Sequence, residues 1–381
     1  MSLDLSNIET PVYILEEALL KRNLQILDRV QKESGAKILL ALKGFAFWSS
    51  FRRIRKVLKG ATASSLNELK LAHDEMRGEC HIYSVAYSEK EFSEILRYAD
   101  HVIFNSFSQW RRFKPRVERA RKSGKKIECG IRINPEQSEV KTPLYDPCGK
   151  HSRLGVTLSE FREDDLEGIS GLHFHIHCEN SFDVLERNLK NVEERFGQYF
   201  SRMKWINFGG GHLVTGRNYH VDALISLIKD FRSRYKTNVY LEPGSAVGWQ
   251  TGTLVASVLD LIHNEMDIAI LDTSVSAHMP DCLEMPYRPE IRGADLPGKS
   301  PYTYRLGGIT CLAGDVIGDY SFSKPLQIGD KLIFEDMIHY TIVKNTTFNG
   351  VSLPSLAILS EKGIYNVVRR FGYHDYKFRN G

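Results

Sequence analysis

The order of segments predicts a (β/α)8 TIM barrel followed by a mostly β C-terminal domain. Eight short strand-like runs alternate with amphipathic helical stretches over the first two-thirds of the chain. That is the pattern of a parallel barrel wrapped by its own crossover helices. Beyond Gly244 the helical period gives way to strand-like runs cut by turn residues. A length of 381 residues is enough for two domains, each with its own core.

Pro11–Leu15 is a short strand ahead of the alternation and a candidate to join the second domain's sheet. From Glu16 to Ser34, Leu19, Leu20, Leu24, Leu27 and Val30 recur near helical spacing, and Gly35 stops the helix. The barrel strands are expected at 37–42, 61–64, 80–84, 101–105, 128–134, 171–177, 205–208 and 238–242. Helical segments are expected at 65–74, 89–98, 110–123, 181–199 and 220–235. The connection 135–152 is long, turn-rich and of mixed charge. Long ordered loops are often functional, so this one is a candidate to line a site. Later strands are expected at 254–262, 266–272, 302–306, 331–335, 340–343 and 355–358. The barrel is assigned 16–249, and the β-rich domain 1–15 with 250–381.

Composition excludes several classes. Hydrophobic residues are 42%, charged residues 26% and the net charge is only +4. No concentrated basic face marks a nucleic-acid binder. The basic run Arg111–Arg116 reads as a solvated helix surface. No apolar run reaches membrane-spanning length. The six cysteines lack CxxC spacing and two lie in or beside apolar strands. They are expected as reduced thiols of a cytoplasmic protein. The polar, acidic start does not resemble a secretory leader.

Chemistry gathers at the downstream strand ends. Lys43 follows four apolar residues. A buried ammonium loses protonation more readily, and Schiff-base chemistry needs the neutral amine. The competing reading is a lysine snorkelling at a strand end. His173, His175 and His177 alternate, so all three share one face of an extended strand. Two of them could hold a metal, or His175 could stack on an aromatic ring, with His173 as a structural histidine. The first reading lacks a carboxylate that completes a zinc set. Gly209, Gly210 and Gly211 follow a strand and can offer backbone N–H groups to a phosphate. Glu242 opens the triplet Glu242-Pro243-Gly244 and can hold a pyridine nitrogen in its protonated form. Taken singly, it reads equally well as an exposed strand-end carboxylate. Cys311 sits in the glycine-flanked loop 306–315, either as a proton donor or as a small apolar residue. Amine, imidazole, glycine loop and carboxylate together describe a pocket for pyridoxal 5'-phosphate.

These motifs, in this order, resemble the fold-type III pyridoxal phosphate decarboxylases, to which alanine racemase is a distant relative. The resemblance covers nearly the whole chain. It implies Lys43 as the Schiff-base residue, His175 as the ring-stacking histidine, Gly209-Gly210-Gly211 on the phosphate and Glu242 on the pyridine nitrogen. It further implies Tyr340, seven residues before Thr347-Phe348-Asn349-Gly350, as a phosphate contact. Asp272 matches the substrate-amine aspartate. Cys311 matches a cysteine that reaches the neighbouring subunit's site, which implies a homodimer with shared active sites.

Two departures narrow the branch. Ser245 stands where an arginine usually follows Glu-Pro-Gly, and the cysteine loop reads Cys311-Leu312-Ala313-Gly314-Asp315. Both resemble the carboxynorspermidine/carboxyspermidine decarboxylases, as do Ala277–Asp281 and Lys150–Gly155. This implies decarboxylation of a small polycationic amino acid in polyamine biosynthesis. Ammonium groups in a cleft need carboxylate partners. Asp272 and Asp315 are the named candidates, with Glu179, Asp281 and Glu284 near the same motifs. The rival readings are a diaminopimelate or other basic amino-acid decarboxylase, and an inactive relative acting as a regulatory binding protein.

Overall fold

The computed structural model describes residues 5–381. It comprises two compact units: Asn23–Val247, and the chain up to Arg22 together with Gly248–Gly381.

In the first unit, eight parallel strands close into a barrel in sequence order. They are β2 (Lys37–Ala41), β3 (Gly60–Ala63), β4 (Glu79–Tyr83), β5 (His101–Phe104), β6 (Glu128–Arg132), β7 (Gly171–His173), β8 (Trp205–Asn207) and β9 (Asn238–Leu241). The ring is completed by β2 pairing with β9, with Ile38 opposite Leu241. Helices such as Glu89–Tyr98, Phe107–Lys122, Phe182–Phe200 and Val221–Tyr235 follow the strands. Serine caps start several of them: the Ser65, Ser88 and Ser106 side chains each accept from the N–H three residues on. The basic run of Phe107–Lys122 lies on the surface in pairs such as Arg112–Glu89 and Lys114–Glu167. The long connection 135–152 is tied to helix Phe182–Phe200 by Arg187–Glu139 and by the Asn191 amide on the Pro135 carbonyl.

The lower barrel is filled with rings. Leu39, Ile103, Trp205 and Tyr240 form one cluster, with Tyr83 packed against it. A Cβ on Gly171 would lie 2.1 Å from the Trp205 ring, and one on Gly130 2.4 Å. Two strands therefore carry glycine so that one indole fits inside a narrow barrel. With that end plugged, only the C-terminal strand ends are left for chemistry.

The second unit is a mixed sheet, in the order β12-β14-β13-β11-β10-β1-β16-β17, with β15 on β10. Its strands are β1 (Val12–Glu16), β10 (Gly252–Asn264), β11 (Met266–Leu271), β12 (Ala294–Asp295), β13 (Tyr302–Gly307), β14 (Val316–Phe322), β15 (Lys331–Glu335), β16 (Ser355–Leu359) and β17 (Tyr365–Arg369). Strand β1 joins this sheet, antiparallel to β10 and parallel to β16. Ile8, Val12, Ile14, Val255 and Ala357 form the core there.

Three expectations are corrected. The run 171–177 is a strand only to His173, because the glycine loop after β8 presses against it: a Cβ on Gly209 would lie 2.5 Å from the Phe174 carbonyl oxygen. Residues 340–343 form no strand; Tyr340 has φ 36° and a 3-10 turn follows at Ile342–Lys344. Strands β14 and β17 were not expected, since glycine, aspartate, asparagine and arginine dilute their apolar pattern.

Candidate active site

Lys43 stands two residues beyond β2. The Gly44 and Phe45 N–H groups both turn back onto the Ala41 carbonyl and end the strand there. Gly44 then packs on Gly244, where a Cβ would meet the Gly244 Cα at 3.0 Å. This contact, with the β2–β9 pairing, brings the Lys43 and Glu242 segments side by side. The Lys43 side chain reaches solvent, yet protein crowds it enough to lower its pKa to about 8, through desolvation first and the Arg132 charge second.

The His175 Nε2 lies 3.3 Å from the Lys43 Nζ. The other ring nitrogen, Nδ1, accepts from the Gly210 N–H at 2.9 Å. Burial keeps this imidazole neutral. The neutral ring with Nδ1 as acceptor carries its proton on Nε2. An Nε2–H can donate to a neutral amine but only repels an ammonium. The network and the desolvation thus favour the same state of Lys43.

Asn207, fully buried at the end of β8, ties the other two motifs together. Its Oδ1 accepts from the Gly209 N–H at 2.8 Å, and its Nδ2 donates to Glu242 Oε1 at 2.8 Å. Glu242 is buried. Burial disfavours its charge, but the nearby His173 and the Asn207 donor hold it below the usual carboxylate range. The His173 Nε2 is 3.4 Å from Glu242 Oε2 without hydrogen-bond alignment. Because burial also keeps His173 from protonating, Asn207 is the firmer of the two supports. Among the described residues no lysine or arginine pairs with Glu242. A buried anion with one neutral donor suits a cationic N–H group arriving from outside the chain.

Gly209 and Gly211 have φ of +68° and +84°, and a Cβ on Gly211 would lie 2.0 Å from the His177 carbonyl oxygen. Only glycine fits that turn. Beside it lies a small recess lined by Gly211, His212, Gly244 and Ser245 among others. Neither the Gly211 nor the Ser245 N–H has a hydrogen-bond partner among the described residues. Unpaired N–H groups at a glycine turn suit an anion. Aldehyde-reactive amine, flat imidazole, anion turn and buried carboxylate fit pyridoxal phosphate in donor chemistry.

The three histidines do not converge on a metal. His173 faces Glu242, His175 faces Lys43 and Gly210, and His177 approaches Asn188. Among the described residues, the metal-spaced group is Glu79, His81 and His101, at the N-terminal strand ends. There the Lys37 Nζ already sits 2.6 Å from Glu79 Oε1, and the two imidazoles stack 3.9 Å apart at 10°. Parallel rings cannot both aim in-plane lone pairs at one ion, so this group reads as a salt-bridged plug.

In the sheet unit, Cys311 is exposed and its N–H donates to Asn349 Oδ1 at 2.7 Å. Asp272 directly follows β11 and is half-buried, accepting from the Thr10 hydroxyl at 2.5 Å and the Ser257 N–H at 2.8 Å. Tyr340 lies in the turn before Ile342–Lys344. Asp315 is buried and accepts from five donors: the Ser274 hydroxyl, the Val275 and Ser276 N–H groups, and the Thr310 N–H and hydroxyl. A carboxylate has about four acceptor positions. The expected substrate-binding role of Asp315 therefore gives way to a structural one.

Asn207, Arg132 and Asn349 have no role assigned by the sequence. Asn207 and Arg132 carried the same signal, a polar residue near the downstream end of a run expected as a barrel strand. The Arg132 guanidinium donates to the His175 carbonyl at 3.0 Å and lies 4.6 Å from the Tyr83 ring centre.

Comparison with known proteins agrees with this chemistry. A carboxynorspermidine/carboxyspermidine decarboxylase of Campylobacter jejuni is 49% identical, over 98% of this chain and 99% of that protein. A carboxyaminopropylagmatine decarboxylase of Synechocystis is 46% identical over 99% and 97%. The crystal structure of the Campylobacter jejuni carboxynorspermidine decarboxylase with norspermidine superposes with a TM-score of 0.91 at 48% identity, covering 98% of this chain and all of that one. Residues 14–338 match the family described as pyridoxal-dependent decarboxylase, C-terminal sheet domain. The chain belongs to the pyridoxal-dependent decarboxylases.

Proposed function

We propose that this protein removes the α-carboxyl group of carboxynorspermidine or carboxyspermidine, yielding norspermidine or spermidine, with pyridoxal 5'-phosphate as cofactor. The observation that carries the reading is the barrel end itself. A buried anionic Glu242, fixed by Asn207, shares it with a lysine whose pKa is lowered to about 8.

When bound, the cofactor supplies an electron sink for the pair left by departing carbon dioxide. Lys43 would hold it to the chain through its amine. His175 offers a flat neutral face, and Glu242 keeps the ring nitrogen protonated. Gly209, Gly210 and Gly211, with the free Ser245 N–H, receive the phosphate in place of the usual arginine; Tyr340 is its further contact. Asp272 receives a substrate ammonium. The Cys311 thiol returns a proton to the substrate α-carbon. As in the family it resembles, Cys311 is proposed to serve the neighbouring subunit, which makes the working protein a homodimer. No helix among the described residues is long and apolar enough to cross a membrane.

The two relatives differ in the tail of their substrates. One group ends in an ammonium and the other, a carboxylated aminopropylagmatine, in a guanidinium, while the α-amino acid head is common to both. Carbon dioxide release should therefore be compared across carboxynorspermidine, carboxyspermidine, carboxyaminopropylagmatine, diaminopimelate and ornithine. We expect kcat/KM highest for one of the first two. Preference for the guanidinium substrate moves the protein to the other branch. Preference for diaminopimelate or ornithine, or no release from any of the five, sinks the reading.

A further inference from the structure

The loop Gly307–Asp315 presents Cys311 in the open, between the exposed side chains of Ile309 and Leu312. Within one chain, burial does not hold such a loop. Its glycines give it many conformations when free, so any fixed position of the thiol must come from polar anchors.

Two anchors are present, on adjacent residues. Asp315 Oδ2 takes both the N–H and the hydroxyl of Thr310, at 3.0 and 2.6 Å. Its Oδ1 takes the Val275 N–H at 2.8 Å and the Ser274 hydroxyl at 3.0 Å, so the loop is fastened to the start of helix Val275–His278. The next residue, Cys311, gives its N–H to Asn349. Asn349 has φ 55°, a left-handed conformation that asparagine tolerates better than most side chains. Gly308 completes the arrangement, since a Cβ there would lie 2.3 Å from Asp315 Oδ2.

We propose that Asn349 and Asp315 are positioning residues that fix the Cys311 thiol for proton return. This gives the Thr347-Phe348-Asn349-Gly350 motif a role of its own and places Asp315 behind the cysteine. The inference rests on Cys311 as the proton donor.

The test uses the holoenzyme and the variants Asn349→Ala, Asn349→Asp, Asp315→Asn and Cys311→Ser. Cofactor absorption and circular dichroism first show which variants remain folded and loaded. Two quantities are then measured: kcat and KM for the preferred substrate, and the rate at which iodoacetamide alkylates Cys311 without substrate, read by peptide mass spectrometry. Asn349→Ala should lower kcat about tenfold, in line with one lost hydrogen bond. Its KM should stay within about twofold, and its alkylation rate should change several-fold. Asn349→Asp keeps an acceptor at the same place and should restore both. Unchanged kcat and alkylation in Asn349→Ala overturn the proposal, as does failure of Asn349→Asp to rescue. A raised KM at constant kcat in Asp315→Asn returns that residue to substrate binding and overturns its part. Full kcat in Cys311→Ser removes the cysteine from the reaction, whereas the alkylation rates still decide whether Asn349 and Asp315 position it.

Discussion

Asn207 is the residue through which the glycine loop and Glu242 are joined, so Asn207→Leu is the most revealing substitution in the barrel. It keeps the branched heavy-atom shape of a fully buried side chain and removes two hydrogen bonds, to the Gly209 N–H and to Glu242 Oε1. A hydrogen bond to a charged group contributes about 1.5–3 kcal/mol, and one between neutral groups about 1 kcal/mol. Losing Glu242's firm support should therefore weaken pyridoxal phosphate binding by roughly 10- to 150-fold. In a Glu242→Gln background the carboxylate is already gone. The same Asn207→Leu change should then cost only the Gly209 share, about fivefold. Titrating the four apoenzymes with pyridoxal phosphate, followed by visible absorption, measures this coupling. If the two substitutions multiply independently, so that the cycle closes within about 0.5 kcal/mol, Asn207 does not act through Glu242 and the reasoning is wrong.

Two further outcomes follow from the same geometry. With its pKa lowered to about 8, Lys43 should lose its proton near pH 8 rather than near the ordinary lysine value of 10.5. The rate at which apoenzyme captures pyridoxal phosphate should therefore rise with pH through about 8 and then level. Arg132→Met should move that midpoint upward, because the Arg132 charge is one cause of the lowering; a wild-type midpoint near 10.5 contradicts the desolvated amine. Gly171→Ala places a methyl group 2.1 Å from the Trp205 ring and should destabilise the barrel by about 1–3 kcal/mol. Trp205→Leu in the same chain should relieve most of that strain. An unchanged melting temperature in Gly171→Ala shows that the indole has room to move.

Much of the site was legible because its residues end apolar runs. Lys43, Glu242 and the glycine triplet stand where a strand pattern stops and polar chemistry begins, and a parallel barrel puts such ends on one rim. The histidine run shows the limit of this logic. Period-two alternation predicts one shared face, but β7 ends at His173 and the three imidazoles take three different partners. Strand length there is set by the neighbouring glycine loop, which no local pattern encodes. Asp315 is a second case. Its position in the cysteine loop made a substrate contact reasonable, yet its acceptors are taken up by Thr310 and the start of helix Val275–His278.

By itself the sequence determined the alternation of strand and helix, the switch to a β-rich domain after Gly244, and which polar groups stand at the ends of the barrel strands. These depend on local periodicity and residue chemistry, which are written residue by residue. Only the tertiary structure decided which nitrogen of His175 carries a proton, that Asn207 supports Glu242, and that Asn349 and Asp315 hold the cysteine loop. Each of these depends on hydrogen bonds between residues from 5 to 41 positions apart, whose distance in the chain carries no information about direction in space.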